Sequence, residues 1–234
     1  MILFGSLFNV FTIIVGTLIG RFLYAIPERM KETIMYGIGM AVVAIGLQMT
    51  FETTQIVIVI LSIVIGAILG EIIDLDQKVN QLGHWIERKL PTKKAGPRIA
   101  QGFVTATLFF CVGSMAIIGA IDSGLRNDHN VLVMKGILDG FTSIIFSSTL
   151  GIGVAFAAVP LFIYQGSITF LATFLSRFVP DELMELFISE MTATGGLMIA
   201  AIGLNLIGLT KIRVANFIPG IGVVAIIVTI VYAF

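Results

Sequence analysis

Eight stretches of this chain are long and apolar enough to cross a bilayer: 1–20, 32–50, 54–73, 99–121, 131–157, 160–178, 182–208 and 213–233. A helix of about twenty residues rises about 30 Å, the thickness of a hydrocarbon core. Inside that core each backbone N–H and C=O must be satisfied without water, so each stretch is expected to be a helix. The fold class that follows is all-α, a polytopic transmembrane helical bundle of about eight spans. With 57% hydrophobic and 12% charged residues and a mean hydropathy of +1.05, the composition excludes an ordinary soluble enzyme. Spans and short loops use up the 234 residues, so a single transmembrane domain is expected over 1–234. Met1 to Gly20 lacks the basic n-region and cleavage site of a secretory signal and reads as a retained first helix.

Charge sets the orientation. With the N-terminus outside, the inner loops hold eleven basic residues, among them Arg21, Arg29, Lys31, Lys78, Lys93, Lys94, Lys211 and Arg213, against three outside, Arg126, Lys135 and Arg177. That positive-inside bias and an even number of spans put both termini on the extracytoplasmic side. Between the third and fourth spans, Leu75, Val79, Leu82, Ile86 and Leu90 recur at helical spacing, which predicts an amphipathic surface helix over 74–90 with Trp85 at headgroup depth. A net charge of zero, with the basic residues in loops, argues against a nucleic-acid partner. One cysteine, Cys111, and two distant histidines, His84 and His129, provide neither a disulfide nor a Cys/His metal set, and no cofactor motif is present. The lipid bilayer is the expected partner, together with a small-molecule or ion substrate.

The chain repeats itself. Arg21-Phe22, Ile26-Pro27-Glu28 and Ala44-Ile45-Gly46-Leu47-Gln48 recur in the same order as Arg177-Phe178, Val179-Pro180-Asp181 and Ala201-Ile202-Gly203-Leu204-Asn205. Gly39–Gln48 and Gly196–Asn205 share five of ten residues. The matching spans are the first and the sixth, which cross in opposite directions. The expected arrangement is an inverted pair of three-helix repeats, about 2–73 and 160–233, flanking a central helical hairpin over 99–157. Secondary transporters are often built this way, with a midplane site; an old duplication that serves only folding has the same sequence signature.

Polar side chains inside a bilayer are costly, so each is a candidate for function. Asn9 and Gln165 correspond in the repeat, as do Gln48 and Asn205. These amides either hold a polar solute or bond helix to helix. Asp139 and Glu190 each lie about 12 Å into a span, where a carboxylate can exchange a proton or a cation. Lys135, one turn before Asp139, offers the alternative of a plain ion pair, and a longer outer loop would leave Glu190 in water. In the central hairpin, Cys111-Val-Gly113-Ser114 and Ser147-Ser148-Thr149-Leu-Gly151-Ile-Gly153 either pack closely or unwind, so Ser114, Ser148 and Thr149 join the candidate set. Gly151 and Gly153 are also where the fifth stretch can break. Gly16-xxx-Gly20 and Gly66-xxx-Gly70 have helix-contact spacing, for internal packing or for a homodimer face.

Several strings carry a family likeness, among them Ile26-Pro-Glu-Arg-Met-Lys-Glu-Thr-Ile34, Cys111-Val-Gly-Ser-Met-Ala116, Leu138-Asp-Gly-Phe-Thr-Ser-Ile144, Tyr164-Gln-Gly-Ser-Ile168 and Glu190-Met-Thr-Ala-Thr-Gly-Gly196. Over nearly its whole length the chain resembles the YdfK/YqgA-like bacterial membrane family, a domain of unknown function. The resemblance implies a polytopic protein of the bacterial inner membrane and supplies no activity or catalytic residue. The expected function is a secondary transporter or exporter of a small polar or charged solute, ion-coupled through Glu190 and Asp139, with a channel and a structural membrane protein as the alternatives. An enzyme is not expected.

Overall fold

The computed structural model describes residues 1–22, 28–79, 81 and 98–233. Among the described residues the regular elements are all helical: α1 (Phe4–Phe22), α2 (Glu28–Thr50), α3 (Ile56–Ile73), α4 (Arg98–Cys111), α5 (Ser114–Leu125), α6 (Asn130–Leu150), α7 (Ala158–Phe178), α8 (Asp181–Leu206) and α9 (Pro219–Ala233), with 3₁₀ segments at Gly151–Ala157 and Val214–Phe217. By length and composition six of the stretches can span a membrane, or seven with α4 and α5 taken as one bent span. Residues 75–79 of the expected surface helix are helical; the rest of it, Trp85 included, lies outside the described residues except for residue 81.

Helix α6 shows why lipid is the solvent. Its large apolar side chains Met134, Ile137, Leu138, Phe141 and Ile145 are exposed, while Lys135, Asp139, Ser143 and Ser147 on its other face are buried. Helix α1 is built in the same sense, with Leu7, Phe11, Ile14 and Leu18 outward and Ser6, Asn9 and Thr17 inward. Such inverted amphipathicity is unfavourable in water and natural in hydrocarbon.

The helices cluster into two compact units. The first contains α1, α4, most of α5, α6, the 3₁₀ segment and α7. Its spine is a parallel pair, α1 against α6, in contact at Gly5 with Leu132, Gly136 with Asn9, Gly16 with Gly140, and Gly20 with Ser147. Missing Cβ atoms at Gly16 and Gly140 let the two backbones meet, so the Gly16-xxx-Gly20 pattern serves internal packing. Helices α4 and α5 together run antiparallel along the length of α6: Gly153 packs on Ile99, Gly102 on Leu150, Phe110 stacks with Phe146, and Gly119 meets Leu132. The two helices meet at a 59° bend, and together they are long and apolar enough for one span. The break falls at Val112 and Gly113, where Gly113 takes φ +129°, a conformation that glycine alone adopts without strain.

The fifth stretch also breaks where its glycines allow. Gly151, at φ +76°, ends α6 and begins the 3₁₀ segment, after which α7 returns until Thr169 and Ala172 pack on Gly124. The apolar run 130–172 is thus two oppositely directed helices.

The second unit contains nearly all of α2 together with α3, α8, the second 3₁₀ segment and α9. A Cβ on Gly46 would lie 2.6 Å from the carbonyl of Gly196, and one on Gly203 would lie 2.7 Å from the carbonyl of Gly39. Helices α2 and α8 therefore cross antiparallel through four glycines. Helix α3 packs on α9 in the same antiparallel way, with Gly66 on Gly220 and Gly70 on the backbone of Asn216. The Gly66-xxx-Gly70 pattern also faces inward.

Candidate functional site

The first unit brings polar side chains together along the interface of the parallel pair α1 and α6. Along α6, Lys135 and Asp139 are four residues apart on the buried face, and their side chains form an ion pair at 7% and 6% exposure. Across the interface Asn9, fully buried on α1, donates from Nδ2 to Oδ2 of Asp139 at 3.0 Å. Thr12 Oγ1 donates to the carbonyl of Gly136 at 2.6 Å, and Ser147 Oγ to that of Thr17 at 3.0 Å, which fixes the register that holds Asn9 opposite Asp139. Burial makes this network costly and tightly coupled: removing either charge leaves the other without a counterion in a medium of low dielectric.

In the same unit lie buried polar atoms that have no hydrogen-bond partner among the described residues. Asn9 Oδ1 has no partner, and neither do Oε1 and Nε2 of Gln165, whose side chain is fully buried on α7. Tyr164 Oη, next to it in sequence, and Ser143 Oγ, one turn beyond Asp139, are also unpartnered. Cys111, the last residue of α4, belongs to the same unit. Unpaired buried amide atoms cost about 1–3 kcal/mol each. A protein keeps such atoms where something else is to bond them.

Glu190 has a different setting. It lies in the second unit, fully buried on α8 beneath the turn 53–55, and accepts four hydrogen bonds: from Thr53 Oγ1 at 2.5 Å, Thr54 N at 2.9 Å, Thr54 Oγ1 at 3.1 Å and Gln55 N at 3.0 Å. Two donors are threonine hydroxyls and two are backbone N–H groups of the turn that leads into α3, so the carboxylate closes the N-terminal end of that helix from outside it and complements its dipole. The outer loop does not leave Glu190 in water.

The other sequence candidates scatter. Gln48 is exposed on α2. Its repeat counterpart Asn205 holds the turn after α8, donating to the carbonyl of Ile212 at 2.7 Å and accepting from Thr210 Oγ1 and Ile212 N. Ser148 and Thr149 are buried but donate back to carbonyls of their own helix, at Ile145 and Phe146. Ser114 begins α5, beside the break. Of the nine candidates, Asn9 and Asp139 are in contact, and Gln165 is buried in the same unit. Lys135 counts as part of the site although sequence reasoning treated it only as a neutraliser of Asp139; its signal, a lysine inside a span, was legible. Tyr164 and Cys111 carried no comparable signal, since apolar helices often hold both.

The family described as "Protein of unknown function (DUF554)" matches residues 4–229. The chain belongs to that family. It is 34% identical to the uncharacterized membrane protein YdfK of Bacillus subtilis (strain 168), over 99% of this chain and 98% of that protein. It is 28% identical to the uncharacterized protein YqgA of Escherichia coli (strain K12), over 93% and 92% of the two chains. No solved structure matches. This DUF554 protein is a membrane protein with several apolar helices, as the sequence predicts.

Proposed function

We propose that this DUF554 protein is a secondary transporter of a small polar solute, with its site in the first unit around Asn9, Lys135, Asp139 and Gln165. The observation that carries the reading is a buried Lys135–Asp139 pair beside an amide oxygen, Asn9 Oδ1, that has no partner among the described residues. A protein that only packs helices gains nothing from unpaired buried amides, whereas a solute that brings its own donors and acceptors satisfies them. Asp139 is the carboxylate of the solute site; Glu190, with four donors on it, is a fixed cap.

The glycine crossings support the inverted repeat. Gly39 and Gly46 align with Gly196 and Gly203, and the contacts are reciprocal, Gly39 with Gly203 and Gly46 with Gly196, as a pseudo-two-fold axis requires. Each repeat gives its first helix to one unit and its second and third to the other, so neither repeat is a packing body by itself. Both termini outside the bacterial inner membrane complete the proposal, and the parallel run of the first and fifth spans, α1 and α6, fits that alternation of crossings.

The test is thermal stability of the purified protein against a panel of amino acids, organic acids, polyols and inorganic ions. A solute at about 100 times its Kd adds about 2.7 kcal/mol. The reading predicts saturable stabilisation by at least one solute, lost in Asp139→Asn and kept in Gln48→Ala, and exchange of that solute by the protein in liposomes. Stabilisation by none of the panel, or binding without exchange, would remove it.

A further inference from the structure

The charges of the site restrict what can enter it. Lys135 and Asp139 neutralise each other among buried groups, so the empty network is electrically balanced. A bare cation drawn to Asp139 meets the ammonium of Lys135, and a bare anion drawn to Lys135 meets the Asp139 carboxylate. Either leaves one unit of charge uncompensated where water cannot screen it. A solute with one charge of each sign avoids that cost, because its carboxylate takes Lys135 while its ammonium takes Asp139. One ion pair then becomes two, and the total stays at zero.

The spare hydrogen-bonding atoms fit the same occupant. An ammonium donates up to three hydrogen bonds and needs acceptors beyond one carboxylate. Asn9 Oδ1 is such an acceptor, on the very amide whose Nδ2 already bonds Asp139, so it lies beside the negative end of the site and is unpartnered. Resting on the transporter reading above, we propose that the solute is a small zwitterion bearing a carboxylate and an ammonium close together, as in an α- or β-amino acid, bound by opening the Lys135–Asp139 pair. The pair is then a selectivity element as well as a store of balanced charge. In the empty state it closes on itself, which keeps a lone charge from being carried across.

The experiment uses the full-length protein in detergent or nanodiscs, with glycine and β-alanine as zwitterionic probes and with acetate and methylammonium as their one-charge halves. Saturable stabilisation by a zwitterion, with each half at least tenfold weaker, is the expected result in the wild type. Single substitutions then change the selectivity in opposite directions. In Lys135→Met the remaining carboxylate favours methylammonium, in Asp139→Asn the remaining lysine favours acetate, and both lose the zwitterion by about a hundredfold, the scale of one lost buried charge partner. Because a lone buried charge can prevent folding, the exchanged pair Lys135→Asp/Asp139→Lys is made beside them; it keeps the balance and is expected to retain preference for the zwitterion over both halves. If acetate or methylammonium stabilises the wild type as well as glycine or β-alanine does, the zwitterion assignment falls and the transporter reading survives. A polyol bound in place of every zwitterion has the same meaning. If none of the probes or the wider solute panel binds the folded wild type, both fall together.

Discussion

Among the described residues each unit buries one carboxylate in a span, and the two are held in opposite ways. In the second unit Glu190 accepts four hydrogen bonds from a single turn and caps α3. At the other end of α3, Asn216 donates to Glu71 at 2.6 Å and accepts from Asp76 N, while Arg213 pairs with Glu71 at 2.8 Å. Polar groups there fasten helix ends, and the buried side-chain atoms without a partner among its described residues are three hydroxyls, on Ser62, Thr192 and Thr194. In the first unit Asp139 sits within a helix, opposed by a lysine and one amide, and the unpartnered atoms include a complete carboxamide. The difference teaches where a fold can be altered without loss: a cap is structure, whereas a half-satisfied network has been kept at a cost in stability.

The sharpest way to break the comparison is Glu190→Ala. Four donors of one turn lose a fully buried acceptor at once, so unfolding free energy in mixed micelles should fall by about 3–5 kcal/mol, with no change in solute selectivity of whatever remains folded. A selectivity change would place Glu190 in the site after all. Next in size is Asp139→Leu, which strands Lys135 and should cost about 3 kcal/mol; Lys135→Met/Asp139→Leu should recover most of that loss and bind no solute. A double variant as unstable as the single would make the pair a structural element like the Glu190 cap.

Gly16→Leu should cost about 1–3 kcal/mol by forcing α1 away from the Gly140 backbone, and it should weaken solute binding by separating Asn9 from Asp139. Gln165→Leu is expected to have the reverse sign. It removes two unpaired buried atoms and should raise stability by about 1 kcal/mol while weakening binding, a trade that chemical or thermal unfolding beside the solute assay would reveal. Loss of stability there would mean that the carboxamide has partners in the membrane and belongs with the caps. Gln48→Ala, on an exposed position, should change neither quantity measurably.

Much of the fold was legible in the residues because hydrocarbon imposes a simple rule on backbone polar groups. Apolar length located the helices; the break at Gly151 followed from the glycines, and the amides and carboxylates stood out as polar residues in apolar runs. The bend at Val112 and Gly113 was legible only as one of two options, since a small-residue stretch packs or unwinds according to its neighbours. The site was harder to read. Asn9 and Asp139 are 130 residues apart in sequence, and their contact depends on the register of α1 against α6, set by Gly16, Gly140, Thr12 and Ser147 jointly. Glu190 and Asp139 looked alike as carboxylates of similar depth, because nothing in local sequence says which of them a distant turn will cap.

By itself, then, the sequence determined the solvent, the helical class, the approximate spans and which residues are polar at membrane depth. These follow from free energies of transfer and from hydrogen bonding within single segments, both local quantities. Tertiary structure decided that first helices pack with the central hairpin while second and third helices pack together, that Asn205 ties its own turn, and that Lys135 closes on Asp139 beside an unsatisfied amide. Lipid is as apolar as the helix faces, so hydropathy is nearly indifferent to which helices meet. Close backbone approach at glycines and the pairing of buried polar atoms make that choice, and both belong to residues far apart in the chain.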